Sequence, residues 1–461
     1  MKTPLWNALE AHAAAHTASF HTPGHKNGRL VPEALRQAWG DAIWQYDATE
    51  IPGLDNLAHP EGVLRDSMAA WAAQRHCAHV QYLLAGTSLG LKAAIYGLCR
   101  GQEIFVPRHA HHSIYQGIIL AGATPIPLAV TYDPEEQIPL GVAPETLAAA
   151  IAAHPSCKHL IMVHPTYHGI TWRNGETIAL AKEAGFTVIV DAAHGPHLVT
   201  EHTPASALAL GADVVIESAH KILPCLTQAS IMLIADPALV PPLRTAVELL
   251  HTTSPSYLLM ASLEQAGAWL AEEGPAVIAQ GAARIEQLKQ RLASHLHLRI
   301  VDKASWQQDP FKLYLTCPHA SGEAIADVLA QHNCIAEMSD GRGCLLMLPL
   351  DGGAEDLADT LLAVADDLAT ITTEIPKPCY CTDAPLVDVP LAEAALAPRR
   401  LLPLDEAQDC TAADLLEAYP PGIPLLLPGE HITASILQVW QDSGRDPKTP
   451  VAILDVDAMH N

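Results

Sequence analysis

The sequence predicts an α/β protein: a large domain with a mostly parallel seven-stranded sheet, then a smaller C-terminal α/β domain and a tail. Two observations carry this. Apolar runs at 80–84, 103–106, 126–130, 159–163, 187–191, 213–217 and 230–234 have the length and bounds of buried strands. Between most of them lie segments, such as 88–99, 144–153 and 176–184, whose apolar residues recur at three and four, the period of a helix. Strand and helix in alternation imply a sheet covered on both faces, with ligands at the carboxyl ends of its strands.

The elements divide the chain in order. Residues 1–50 form an N-terminal arm and 51–250 the large domain that holds the sheet. The pattern of strands stops near Pro237, and 257–270 and 276–296 read as long helices within a connecting stretch, 251–296. A small α/β domain, 297–375, has strand-like 311–316 and 344–348 and helix-like 322–331 and 355–370. Prolines at 376, 378, 385, 390, 398 and 403 make the start of the C-terminal segment, 376–461, an extended connection. The tail carries the turns Pro420-Pro421-Gly422-Ile423-Pro424 and Leu427-Pro428-Gly429-Glu430.

Composition narrows the function classes. The 461 residues are 49% hydrophobic and 17% charged, which is globular rather than disordered. Asp plus Glu number 51 against 26 Lys plus Arg, a net charge of −25 that argues against nucleic acid or an anionic membrane as partner. No apolar run approaches the roughly 20 residues that span a bilayer, and residues 1–18 are too interrupted for a signal peptide. Ten cysteines without a CxxC pair read as reduced thiols. The expectation is a cytoplasmic protein that acts on a small molecule.

The most informative chemistry is Asp191, which ends an apolar run, and Lys221 in Ser218-Ala219-His220-Lys221, thirty positions later. A lysine amine can form an imine with the aldehyde of pyridoxal 5'-phosphate, while a carboxylate keeps the pyridine nitrogen protonated. Gly86-Thr87-Ser88 follows the 80–84 run and opens a helix, where hydroxyls and free N–H groups suit a phosphate. Taken alone, Thr87 and Ser88 read more readily as ordinary N-caps, and their place before Asp191 and Lys221 shifts the weight to phosphate. Ser218 and His220 can also donate to phosphate. His194 is expected to orient Asp191. In Arg108-His109-Ala110-His111-His112-Ser113 an imidazole could stack on the pyridine and pass a proton. Without a nearby Cys or Asp pair, and with no HExxH, these histidines are not expected to hold a metal.

These motifs resemble those of the bacterial Orn/Lys/Arg decarboxylases, pyridoxal-phosphate enzymes of fold type I (aspartate-aminotransferase-like). The similarity runs from His21-Thr22-Pro23-Gly24-His25-Lys26 through Gly86-Thr87-Ser88, Pro165-Thr166-Tyr167 and Ser218 to Lys221, to Pro428-Gly429-Glu430. The resemblance implies decarboxylation of arginine, lysine or ornithine to a polyamine-precursor amine. It makes Lys221 the imine lysine, Asp191 the pyridine partner, His111 the stacking ring, and Thr87, Ser88, Ser218 and His220 phosphate ligands. It also implies a homodimer or higher homo-oligomer with active sites at the interface. The chain departs from the family pattern at Leu91, His109, His112, Ala192 and Ala219. An aminotransferase or other lyase, with Arg342 gripping a carboxylate, and an inactive cofactor-binding partner are the alternatives. Glu50, Asp55 and Glu430 are possible partners for a substrate cation.

Overall fold

The computed structural model describes residues 1–353, 356–377, 379–380, 385–418 and 422–459. Glu355, Pro378, Pro420 and Pro421, used in the sequence reading, lie outside them. The expected strands form at β1 (His79–Leu83), β2 (Glu103–Pro107), β3 (Thr124–Leu128), β4 (His159–Val163), β5 (Thr187–Asp191), β6 (Val214–Glu217) and β7 (Ser230–Ile234). They make one seven-stranded sheet in the order β1-β7-β6-β5-β4-β2-β3. Its strand β3 begins two residues earlier than the sequence suggested and includes Pro125 and Pro127. Proline cannot donate to a ladder, and β3 tolerates it because it is an edge strand that pairs only with β2.

The β2–β3, β2–β4 and β5–β6 pairs are parallel, whereas β7 runs antiparallel to both β6 and β1. The reversal has a local cause. Only residues 218–229 join β6 to β7, with a single helical turn Ala219–Ile222 among them. That is too little chain for the covering helix a parallel crossover requires.

Two compact units partition the chain. The first comprises 1–98, 189–199 and 206–276. Here the helix Gly86–Leu98 lies close on the strands: a Cβ on Gly90 would come within 2.5 Å of Leu83 Cδ1 and 2.8 Å of Ile216 Cγ2. The helix Val63–Arg75 places Arg75 in a buried two-pronged ion pair with Glu217 at the end of β6, both contacts 2.7 Å. Glu264, also buried, accepts the backbone N–H groups of Leu5 (3.0 Å) and Trp6 (2.7 Å), which ties down the first helix, Pro4–Ala14.

The second unit comprises 99–188, 200–205 and 277–461. It includes an antiparallel four-stranded sheet of β8 (Arg299–Val301), β9 (Lys312–Thr316), β10 (Met338–Ser339) and β11 (Gly343–Met347), in the order β8-β9-β11-β10. The short β8 and β10 have too few residues to show a period in the sequence. The proline-rich stretch is more ordered than an extended connection: Leu391–Leu396 is helical, and Arg399–Pro403 pairs with Pro450–Leu454. Around that pairing, Leu404, Leu426, Ile432, Ile436, Trp440 and Ile453 make a separate apolar core. Among the described residues, no helix is long and apolar enough to cross a membrane.

Removing one partner of a buried pair leaves an uncompensated charge. Arg75→Ala is therefore expected to cost about 3–5 kcal/mol of stability, and Arg75→Met with Glu217→Leu distinctly less. Urea denaturation of the two variants checks this, and equal losses would count against it.

Candidate functional site

Within the first unit, β1, β5 and β6 point their carboxyl ends to the same edge, and the expected cofactor residues gather there. The β5–β6 pairing sets Asp191 opposite Ile216, and the Ala192 N–H donates to the Ile216 carbonyl at 2.9 Å. Asp191 thus stands beside the turn that follows Glu217. Its side chain is buried and accepts the Ala193 N–H at 3.1 Å. Burial pushes the Asp191 carboxyl above the ordinary carboxylate range, and the positive charge of Lys221 acts in the opposite direction.

Lys221 is carried on the helical turn Ala219–Ile222, where its N–H donates to the Ser218 carbonyl at 3.1 Å. Its Nζ lies 3.2 Å from His194 Nε2. His220 is fixed through both backbone and ring: its N–H and Nδ1 reach the Ala229 carbonyl at 3.1 and 3.0 Å. Since a carbonyl only accepts, Nδ1 carries the proton. Burial lowers the His220 pKa, so the ring is held neutral.

The helix that follows β1 brings in the hydroxyls. Gly86, at φ +72°, turns the chain into the helix and donates its N–H to the Gln228 carbonyl at 3.0 Å. Thr87 Oγ1 then lies 3.1 Å from Ser218 Oγ. Two hydroxyls beside a helix start, with Gly86 and Ser88 half-buried, are the donors an anion needs. An amine, a buried carboxylate responsive to its charge, and an anion cradle therefore share one edge of one unit. This donor set fits pyridoxal 5'-phosphate, which needs one of each. Leu91, Ala192 and Ala219 are all buried packing residues.

His111 belongs to the second unit, as N-cap of the helix His112–Ala121. Its Nδ1 accepts the Ser113 N–H at 3.2 Å and meets Ser113 Oγ at 2.8 Å, which places the ring proton on Nε2. Gly422 passes directly over this ring. A Cβ there would lie 2.4 Å from His111 Cδ2, and φ is +82°, so both space and backbone demand glycine. The turn-rich 420–424 stretch was visible in sequence, but its histidine partner was not. Glu417 pairs with His112 in the same region.

Two of the three carboxylates considered for a substrate cation are already occupied. Glu430 takes two contacts from Arg108 at 2.7 Å and the Leu427 N–H at 2.9 Å. Asp55 accepts four backbone N–H groups, from Asn56, Glu61, Gly62 and Leu64, and its carboxyl stays low despite its desolvation. Glu50 accepts the Thr49 hydroxyl at 2.6 Å. Among the described residues no group of three or more His, Cys, Asp or Glu could hold a metal ion.

Residues 3–328 match the Orn/Lys/Arg decarboxylase major domain, and 392–441 match the C-terminal domain of the same family. The chain belongs to the Orn/Lys/Arg decarboxylase family. Its relatives include arginine decarboxylases of Halalkalibacterium halodurans, 32% identical over 96% of this chain and 94% of that one, and of Bacillus anthracis, 31% identical over 95% and 92%. The fold is similar to that of the Francisella novicida lysine decarboxylase, with a TM-score of 0.85 at 19% identity over 98% of this chain and 81% of that one. Orn/Lys/Arg decarboxylases depend on pyridoxal phosphate and act on basic amino acids, and their fold is type I.

Two buried histidines of this family member predict its response to acid. His164 accepts from Asn174 Nδ2 at Nδ1 (3.1 Å) and donates Nε2–H to the Ala205 carbonyl (2.8 Å), and burial pushes its pKa down to about 4. Burial does the same to His109. Between about pH 6.5 and 4 the unfolded chain binds a proton at each that the folded chain refuses. Stability should fall on acidification by about 1.4 kcal/mol per pH unit for each histidine. Urea denaturation from pH 7 to 5 measures the slope, and His109→Asn should flatten it by one histidine's share.

Proposed function

We propose that this protein is a pyridoxal-phosphate-dependent decarboxylase that converts arginine to its amine and carbon dioxide, with lysine and ornithine as the substrates to compare. The observation that carries the reading is near-full-length similarity to relatives named arginine decarboxylase. The gathering of Lys221, Asp191, Thr87 and Ser218 at one sheet edge supports it from the side of chemistry.

When bound, pyridoxal 5'-phosphate supplies an electron sink for the pair released at Cα as the carboxylate leaves. In our assignment Lys221 Nζ anchors it, with His194 Nε2 close enough to exchange a proton with that amine. Asp191 holds a proton on the pyridine nitrogen. Its burial strengthens that contact, because no water competes for the carboxylate. Gly86, Thr87, Ser88, Ser218 and His220 orient the phosphate. His111 contributes a flat ring, its Nδ1 held by Ser113, that suits stacking on the pyridine.

We also propose a homodimer with shared active sites. Phe20 is 92% exposed in the N-terminal arm, and Leu30 and Trp39 are exposed there too, large apolar side chains that a second copy would cover. The described cysteines are free thiols, in keeping with the cytoplasmic place we propose, and the role in polyamine biosynthesis that we propose rests on the family resemblance alone. As a working division we retain 1–50, 51–250, 251–296, 297–375 and 376–461.

The test is incubation of the cofactor-loaded protein with arginine, lysine and ornithine separately, measuring amine and carbon dioxide together. One amine in stoichiometric balance with carbon dioxide is expected. Lys221→Ala should abolish it, and Asp191→Asn should lower kcat by about a hundredfold or more while the protein still folds. Keto-acid formation, or no amine from any of the three, would overturn the reading. Sedimentation of the protein against a Phe20→Ser, Trp39→Ser variant tests the dimer, which the double substitution should weaken.

A further inference from the structure

The second unit contains a small cavity of about 80 Å³ whose walls include His109, Glu136, His168, Arg342, Tyr132 and Tyr380. Three of these side chains are almost wholly buried yet leave polar atoms unused. His109 is 5% exposed and His168 1%, and neither ring nitrogen of either histidine has a hydrogen-bond partner among the described residues. Asp340 lies 3.9 Å from His168 Nε2, beyond hydrogen-bond reach. Glu136, 3% exposed, gives Oε1 to Arg299 at 2.6 Å and leaves Oε2 unpaired. Buried polar atoms are ordinarily satisfied, so a cluster of them around one space calls for a polar occupant.

Arg342 supplies the opposite charge. Asp340 accepts the N–H groups of Arg342 and Gly343 at 2.9 and 2.8 Å and the Tyr314 hydroxyl at 2.7 Å, which fixes the turn. The Arg342 guanidinium itself has no hydrogen-bond or ion-pair partner among the described residues. Tyr132 and Tyr380 stack at 3.7 Å and close one side with an aromatic wall. A simple anion would meet the free Glu136 oxygen, and a simple cation would meet Arg342. A molecule bearing both charges satisfies both.

We propose that this cavity binds the head group of a free α-amino acid, with its carboxylate on Arg342 and its ammonium on Glu136 Oε2 and the nitrogens of His109 and His168. The occupant is either the substrate, entering head group first with its side chain toward the mouth, or a second amino acid that regulates the enzyme.

Calorimetric titration of the full-length, cofactor-loaded protein after borohydride reduction tests this, because reduction stops amino acids from reacting with the cofactor. L-alanine is the probe, and propionate and ethylamine each lack one of its charges. Saturable L-alanine binding is expected, at least tenfold weaker for both analogues and at least tenfold weaker in Arg342→Gln and Glu136→Gln. Absence of saturable binding, analogues that bind as well as alanine, or affinity unchanged in both variants overturns the proposal. The analogues decide on unmutated protein if a variant fails to fold. Binding heat is read without turnover, so failure of the decarboxylase reading leaves it interpretable. An arginine KM raised at least tenfold in Arg342→Gln assigns the cavity to substrate, and an unchanged KM with alanine binding lost assigns it to regulation.

Discussion

The parallel pairing of β5 with β6 is the constraint on which the candidate cofactor site depends. It fixes Asp191 beside the end of β6, so that a carboxylate and a lysine thirty positions apart in sequence become neighbours in charge. A slip of one residue in this register would turn Asp191 to the opposite face of the sheet. The Arg75–Glu217 pair guards the same place, since it anchors the residue immediately before Ser218. The short return into β7 then keeps His220 against Ala229 and gives the lysine turn a fixed backbone.

Two electrostatic regimes follow from burial. At the first unit's sheet edge, burial pushes a carboxyl up and the charge of an exposed lysine acts against that push. In the second unit, His109 and His164 are driven toward neutrality by desolvation, with only His164 given full hydrogen-bond partners. The same physical term therefore gives a satisfied structural histidine in one place and an unsatisfied wall of a cavity in the other. Hydrogen bonding, rather than burial, separates the two.

Much of the fold was legible because the sheet is buried on both faces, so its strands are uninterrupted apolar runs with polar bounds. All seven strands were located, and β3 was displaced only because two prolines disguise an edge strand. Elements of two or three residues, such as Arg299–Val301 and Met338–Ser339, carry no period and stayed hidden. The candidate cofactor residues stood out because each ends or follows a strong strand. What the sequence withheld were partnerships over long separations: Glu430 with Arg108, Gly422 with His111, and Arg342 with a buried wall. A free carboxylate and a saturated one look the same in one dimension, which is why Glu430 and Asp55 were considered for a substrate.

The Arg108–Glu430 pair has a consequence for the order in which the chain matures. The two residues are separated by 322 positions, and Arg108 also reaches the Leu425 carbonyl. During synthesis, the loop that bears His111 waits for 322 further residues before its arginine has met all of these partners. Translation that stops short of the tail leaves that guanidinium without them and the neighbouring imidazole without Gly422 above it. This corner is therefore finished only once residues 422–430 have been made, however early the strands around it have paired.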